Sequence, residues 1–343
     1  MEDSRVNKVI NSFTSCKKEV YRREEELPEL RKLRDEIVKL TFKDNYVDDG
    51  SLKLWDAENY LEKQNEECYG IATEELQRFK NSCKDLNNMI KGVSTGYEGE
   101  QKTFNRLERI QCAKRILKNI EFTKDDVRTE LDAVVITKGC VYIIETKNTS
   151  KNIFIDEEGN YNLTGDFLKF DKNIKDKLAD RENFVKQILK EAGYEKMPVQ
   201  SILVFTNNRI TVKNRCADVK TAFVSQLPYL IEENIPLIGI TDQDINVISQ
   251  AIEKERKTEA YPIKFEVDQL KENFAQLVIK LEDAMKPEEA VREEVQEVIS
   301  HHRKNSFSTI IRNLIHSPAF RLVPAAAMAT FSLVTVISRD TFR

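Results

Sequence analysis

The sequence predicts an α/β fold, and three observations on its 343 residues support that prediction. Runs of β-branched residues alternate with helical patterns between about residue 93 and residue 260. The segments on both sides are rich in charged helix formers, and their apolar residues recur every three or four positions. Alternating strand and helix signals are typical of α/β proteins, whereas the flanking periodicity predicts helices at both ends of the chain.

Changes in composition divide the chain into four regions. Its length alone predicts two or three units. Residues 1–92 form a helical, coiled-coil-like region, 93–260 the α/β domain, 261–316 a second helical region, and 317–343 a basic and apolar tail.

The charge and the cysteine content of the sequence argue against several classes of protein. Charged residues make up 33% of the chain, which argues against a polytopic membrane protein. The formal net charge of -4 provides no overall attraction to nucleic acid, so any such contact must be local. Six cysteines without a CxxC pair, together with three histidines, argue against a structural zinc site and indicate reduced thiols. The start, MEDSRVNKVI, resembles no secretion signal, and we expect a cytoplasmic protein.

The N-terminal region contains two helical series separated by the turn sequence NYVDDGS. The apolar positions of the two series are Leu30, Leu33, Ile37 and Leu40, and then Ala72, Leu76, Phe79, Cys83, Leu86 and Ile90. Two interpretations remain open. The helices form a coiled coil that makes a homo-oligomer, or they form a hairpin that packs on the rest of the same chain.

The tail contains 17 residues without charge, 322–338, between Arg321 and Arg339. This is the lower limit for a membrane span, and the basic residues before it suit an anionic inner leaflet. The segment is therefore either an anchor at the inner face of a bacterial membrane or a buried terminal helix of a fully soluble chain.

Two strand signals, ELDAVVIT and CVYIIETK, are joined by a short turn in which Gly139 is expected to adopt positive φ. They predict a hairpin that brings Asp132 close to Glu145. Residues 157–160 predict a second, smaller hairpin, and 172–192 predict a helix that ends at Gly193. A last strand, IPLIGIT, is expected to lead into a helix that covers the sheet through Ile245, Ile248 and Ile252.

The candidate chemistry lies at the end of the apolar strand VYIIETK. Glu145 and Lys147 are two residues apart and therefore share a strand face. They form either a simple salt bridge or, with Asp132 from the neighbouring strand, a two-carboxylate site. Carboxylates without histidine suit Mg²⁺ or Mn²⁺ better than zinc.

Two further glutamates have open roles. Glu100 follows two glycines in GYEGE and is expected to open the helix EQKTFNRLERIQ. It either reaches the same cation or complements the helix dipole. Glu130 shares the strand face of Asp132 and is either a further ligand or an ordinary exposed acid.

These motifs resemble the nuclease-related domain (NERD) family of the PD-(D/E)xK nuclease-like superfamily. The resemblance covers roughly residues 93–255, through GYEGE, TELDAVVIT, the turn glycine, VYIIETKN and, more loosely, PVQSILVF. It implies a restriction-endonuclease-like core with a mixed sheet, flanked here by the N-terminal helical hairpin and the C-terminal helices. It also implies Glu100, Asp132 and Glu145 as metal-binding acids and Lys147 as the catalytic lysine.

One region departs from the family pattern. Members often carry Asn-Pro and a glutamine on the helix after the core strands, whereas here the segment DKNIKDKLADRENFVKQILK has no proline. The basic residues of the helix around 169–190 are predicted to lie mostly on a solvated face, because acids dilute them: Lys169, Lys172, Lys175, Lys177, Arg181, Lys186 and Lys190. The segment RITVKNR at 209–215 is the better candidate for phosphate contact.

The resemblance implies Mg²⁺-dependent hydrolysis of DNA phosphodiester bonds, and a membrane-attached form would suit defence against foreign DNA. The alternative is a catalytically inactive nuclease-like module that binds nucleic acid or protein and assembles through its helical regions. The lack of net positive charge favours a module that binds protein, whereas the intact set of acids favours the enzyme.

Overall fold

A computed structural model of the chain describes residues 2–14, 17–124, 127–163, 173–233, 236–257 and 259–301. The apolar segment 322–338 and the basic residues Lys169 and Lys172 lie outside the described residues. Within the described part, no helix is both long enough and apolar enough to cross a bilayer.

The chain forms eight α-helices and ten strands within the described residues, with single 3₁₀ turns at Arg23–Glu25, Lys43–Asn45 and Val224–Gln226. The helices are α1 Glu2–Ser12, α2 Glu26–Phe42, α3 Leu54–Glu67, α4 Thr73–Leu107, α5 Ile174–Glu191, α6 Leu227–Glu232, α7 Asp242–Lys254 and α8 Val267–His301. The strands are β1 Glu19–Val20, β2 Lys114–Lys124, β3 Val127–Thr137, β4 Val141–Lys147, β5 Ile153–Ile155, β6 Tyr161–Leu163, β7 Val199–Phe205, β8 Val212–Asn214, β9 Thr221–Phe223 and β10 Tyr261–Pro262.

These elements group into two compact units. The first comprises the described residues of Met1–Lys18, Glu29–Asn88 and Lys264–Arg343, and the second comprises Glu19–Pro28 and the described residues of Met89–Ile263. The four-region division made from the sequence stays a prediction.

The first unit buries the apolar series that the sequence analysis identified. Leu33 and Ile37 of α2 and Phe79 of α4 have no exposed surface. Phe274 of α8 packs edge-on against Phe13, with ring centroids 5.6 Å apart, and lies 5.5 Å from Phe79. These positions are therefore used inside one chain. A third helix, α3, stands between the two predicted helices, and the sequence analysis missed it.

The second unit contains a five-stranded sheet in the order β2-β3-β4-β7-β9. The β2-β3 and β3-β4 pairs are antiparallel, whereas β4-β7 and β7-β9 are parallel. The predicted α/β class, with a mixed sheet and helices at both ends of the chain, is confirmed. The predicted hairpin of β3 and β4 and the smaller hairpin of β5 and β6 both form.

Helices cover both faces of this sheet. Apolar residues of α5 and α7, including the predicted Ile245, Ile248 and Ile252, form a core with one face. The C-terminal part of α4, through Phe104 and Leu107, forms a core with the other face together with α6. The sheet is therefore buried on both sides, as the near-continuous apolar sequence of β4 requires.

Three local predictions are wrong. The segment IPLIGIT is not a strand over its described residues, and Ile238 is fully exposed; β9 takes the edge position beside β7 instead. Gly139 has no positive φ, because the turn is closed by Thr137, whose hydroxyl accepts the N–H groups of Gly139 and Cys140 at 3.2 Å each. Glu100 does not open a helix, since α4 begins at Thr73 and is continuous through it.

Candidate active site

Asp132 and Glu145 lie side by side on neighbouring strands. In the antiparallel register of β3 and β4, Ala133 stands opposite Ile144 in the last pair. Asp132 and Glu145 are each one residue further along, so they share one face of the sheet. This is the face that α5 and α7 cover, since the residues two positions away on each strand belong to that core.

The backbone ladder between β3 and β4 ends at Asp132. The backbone N–H of Thr146 donates to Oδ2 of Asp132 at 2.7 Å, so a carboxylate replaces a backbone carbonyl as the acceptor. On its other side, β4 continues to pair with β7 as far as Lys147 opposite Phe205. Asp132 is therefore held at the point where the two strands separate.

Glu145 is surrounded by three cations. Its Oε1 lies 3.0 Å from Nζ of Lys147 and 3.1 Å from Nζ of Lys177, and its Oε2 accepts from Nη1 of Arg181. Burial raises the pKa of Glu145, but the charges of Lys147, Arg181 and Lys177 outweigh burial and hold this pKa well below its ordinary value. Glu145 is therefore ionised at neutral pH.

The carboxyl group of Asp132 shows the opposite behaviour. Burial, followed by the negative charges of Glu145, Glu130 and Glu100, raises the pKa of Asp132 to about 8, against a lowering contribution from Arg181. Without a bound cation, Asp132 is therefore mostly protonated at neutral pH.

Glu100 approaches these acids because α4 packs closely against the end of β4. A Cβ at Gly99 would lie 2.7 Å from Cβ of Asn148, so only glycine allows this approach without a shift. Asn148 fixes the contact, since its Nδ2 donates to the carbonyl of Thr95 at 2.8 Å and its Oδ1 accepts from Thr206 at 2.7 Å. Glu100 is 3% exposed and buried beside this contact.

All four residues proposed from the sequence thus belong to one end of the sheet. Asp132, Glu145 and Lys147 are neighbours across β3 and β4, and Glu100 acts on Asp132 through its charge. Their catalytic and metal-binding roles stay predictions, and so does a ligand role for Glu130.

Two further residues of the site, Lys177 and Arg181, are not predicted from the sequence. Both are expected on a mostly solvated helix face, whereas both contact Glu145, and the side chain of Arg181 is only 5% exposed. A signal was present in the spacing of α5. Arg181 falls within the buried apolar series of that helix, Ile174, Leu178, Val185 and Ile188. A charged residue inside such a series indicates a buried partner of opposite charge.

The donor chemistry of the site suits a hard divalent cation. Four carboxyl groups, of Glu100, Glu130, Asp132 and Glu145, interact electrostatically with one another and with nearby cationic side chains. Oxygen donors without histidine match Mg²⁺ or Mn²⁺. In the described range, however, no three His, Cys, Asp or Glu side chains are arranged to hold a metal ion. A cation shared by Asp132 and Glu145 would require Glu145 to exchange at least one of its ion pairs.

Comparison with protein families gives one match. Residues 95–206 match the family described as nuclease-related domain. These residues are therefore similar to a nuclease-related domain. This family belongs to the PD-(D/E)xK-like nuclease superfamily, so the predicted resemblance is confirmed over residues 95–206, and the match indicates a nuclease-like function. Searches of curated proteins and of solved structures found no match.

The matched region contains every residue of the site described above. Glu100 lies near its start, the strand acids and Lys147 near its middle, and Lys177 and Arg181 before its end. Members of this superfamily typically use divalent metal ions, which agrees with the carboxylate-rich donor set.

Proposed function

We propose that the nuclease-related domain hydrolyses phosphodiester bonds of DNA with the help of Mg²⁺ or Mn²⁺. The main support is the pairing of a protonated, charge-crowded Asp132 with an ionised Glu145 and Lys147 on one face of two adjacent strands. Two acids whose environments push their pKa values apart are typical of catalytic sites.

The residues that would hold the metal ion are Asp132 and Glu145, with Glu100 as a third acid from α4. A divalent ion bound there supplies positive charge that stabilises the transition state and acidifies water for attack.

The side chains of the chain have separate tasks. Lys147 stands at the exposed end of β4, 19% accessible, where its ammonium can donate to a phosphate oxygen and stabilise the charge that develops during cleavage. Arg181 is buried and orients Glu145. Lys177 is 31% accessible and can either hold Glu145 or move to a phosphate as substrate arrives.

The test is a cleavage panel on the full chain. Linear, circular and single-stranded DNA, and RNA, are incubated with Mg²⁺, Mn²⁺ or EDTA. We expect metal-dependent cleavage that falls by about 10²- to 10³-fold in Glu145→Ala and in Lys147→Ala. The matched controls are Glu195→Ala and Lys196→Ala, which remove an exposed acid and an exposed base outside the site. Cleavage that survives both site substitutions contradicts the proposal.

A second candidate function is nucleic-acid binding without hydrolysis. It is favoured by the three ion pairs of Glu145, which already compensate the acid that a metal ion would need. Under this alternative, the full chain binds DNA equally well in EDTA and in Mg²⁺ and cleaves it in neither.

Three further expectations concern the oligomeric state, membrane attachment and the biological role. Homo-oligomerisation through the helical regions, attachment through residues 322–338 and a role against foreign DNA stay predictions. Sedimentation of the purified chain tests the first, and carbonate extraction of membranes with and without residues 318–343 tests the second.

A further inference from the structure

A second polar surface lies at the carboxyl ends of the parallel strands β4 and β7, the first of which carries Glu145. The loop after β4 contributes residues 148–150, the loop after β7 contributes residues 206–209, and α4 contributes Thr95 and Lys102. They line an open space of about 400 Å³, and all nine lining residues are polar. We refer to this space as the polar cleft. Clefts at the carboxyl ends of parallel strands are common ligand sites in α/β proteins.

The lining of the polar cleft suits an anion. It includes two cationic side chains, Lys102 and Arg209, and no carboxylate among its nine residues. The remaining seven carry hydroxyl or amide groups, which can donate to phosphate and sugar oxygens. No aromatic ring belongs to the lining, so it offers no platform on which a base could stack.

The walls of the polar cleft are held by internal hydrogen bonds. Thr206 donates to Asn148 at 2.7 Å, and Nδ2 of Asn207 donates to the carbonyl of Thr149 at 3.1 Å. Lys102 and Arg209 differ from these residues. Both are exposed, and neither has an ion-pair partner within the described part of the chain. The fixed walls therefore present two available positive charges.

The basic segment 209–215 divides between two surroundings. Arg215 pairs with Glu157 at 3.3 Å, and its guanidinium lies 5.5 Å from the centre of the Phe154 ring. Arg209, at the other end of the segment, lines the polar cleft. Of the three basic residues in this segment, Arg209 is thus the one that lines the polar cleft.

The polar cleft adjoins the acids through the chain itself. Asn148 directly follows Lys147, and Gly99, which packs on Asn148, directly precedes Glu100. A strand of nucleic acid whose scissile phosphate lies at Lys147 would therefore place a neighbouring part of its backbone at the cleft.

We propose that the polar cleft binds the phosphodiester backbone of a nucleic-acid strand beside the bond to be cleaved, without reading base sequence. The position of this backbone beside a bond that is cleaved rests on the proposed function. The backbone contact itself does not, because Lys102 and Arg209 lie outside the set of acids.

The test measures binding by the full chain in EDTA, so that cleavage plays no part. Fluorescence anisotropy follows single-stranded and duplex DNA of two unrelated sequences over a series of salt concentrations. In Lys102→Ala/Arg209→Ala, we expect weaker binding to both sequences alike. The slope of log association constant against log salt concentration is negative, and it should become less steep by about 1.8 for duplex and about 1.4 for single strands, if each side chain contacts one phosphate.

Two control variants distinguish the loss of positive charge at the polar cleft from the loss of positive charge elsewhere on the protein. Lys196→Ala/Lys254→Ala removes two exposed lysines elsewhere in the same unit and should keep the slope of the wild type. Lys102→Arg/Arg209→Lys keeps both charges and should also keep it. An unchanged slope in Lys102→Ala/Arg209→Ala, or an equal loss in the Lys196→Ala/Lys254→Ala control, overturns the inference.

A third arm distinguishes a nucleic-acid backbone from a small anion. Inorganic phosphate is titrated calorimetrically at constant ionic strength into both the wild type and Lys102→Ala/Arg209→Ala. Loss of phosphate binding with unchanged DNA binding would assign the polar cleft to a free anion and overturn the inference. If DNA cleavage is absent but the salt slope changes as expected, the proposed function fails and the backbone contact stands.

Discussion

Asp132 and Glu145 are neighbours on one sheet face, yet their carboxyl groups respond to opposite surroundings. They are similarly buried, at 6% and 3% exposure, so burial cannot explain why one pKa rises and the other falls. The difference comes from the nearest charges. Glu145 contacts Lys147, Lys177 and Arg181, whereas Asp132 faces mainly other carboxylates. Two identical functional groups are thus given different protonation states by the elements that pack around them.

Among these substitutions, Glu145→Gln should cause the largest change in the free energy of unfolding. It removes the acid that compensates three cations, one of them the buried Arg181. Breaking a buried ion pair from one side costs about 3 to 5 kcal/mol of unfolding free energy. Urea denaturation in EDTA measures this loss. An unchanged midpoint would mean that Glu145 is not the centre of the cation cluster.

Arg181→Met should have the next largest effect, about 2 to 3 kcal/mol, because Lys147 and Lys177 still compensate Glu145. The double variant Glu145→Gln/Arg181→Met should lose less stability than the sum of the two single variants. This double-mutant cycle isolates the coupling between the two residues. Strict additivity would show that they do not interact.

Gly99→Ala tests how the acid side of the site is positioned. The added methyl group meets Asn148 at 2.7 Å and should destabilise the protein by about 1 to 3 kcal/mol. Gly92→Ala is the matched control on the same helix, since its Cβ would meet nothing within 4 Å. That substitution should stabilise by about 0.5 to 1 kcal/mol through helix propensity alone. Thermal unfolding of both variants checks the difference in sign.

Asp132→Asn should stabilise the chain by about 1 to 2 kcal/mol in EDTA, because it removes the repulsion between Asp132 and the neighbouring carboxylates. Relaxation of the protein and entry of water keep this gain small. The gain should depend on pH. The folded pKa of Asp132, about 8, lies above its ordinary value of 3.8, so the folded protein binds the extra proton between these limits. The contribution of Asp132 to the unfolding free energy of the wild type therefore falls as pH rises through this window and levels off above it. The difference between variant and wild type should grow from pH 4 to pH 8, and a constant difference would contradict the raised pKa.

The strand part of the site could be predicted from the sequence because its determinants are local. Asp132, Glu145 and Lys147 belong to one hairpin, and the alternation of side chains fixes which of them share a face. The hairpin turn was found although its detail was wrong, since Thr137 rather than a glycine with positive φ closes it.

The helical part could not be predicted in the same way. Arg181 is 36 residues from Glu145 in the chain, and alternating lysines and aspartates on α5 suggested a solvated surface. Glu100 was expected at a helix start because glycines usually end helices. Here α4 continues through Gly99, which is retained for close packing against Asn148. The error over IPLIGIT has a related cause, since β-branched residues alone do not reveal which segment occupies a sheet edge.

The candidate active site and the polar cleft are built from different kinds of structural element, and this affects how the protein can change by substitution and insertion. The charged residues of the candidate active site stand on β3, β4 and helices, whereas most of the polar cleft is made by the two loops after β4 and β7. Loops accept substitution and insertion more readily than the elements they connect. Substrate preference can therefore diverge among descendants of this chain, or be re-engineered by grafting new loop sequences, while the reactive groups keep their arrangement.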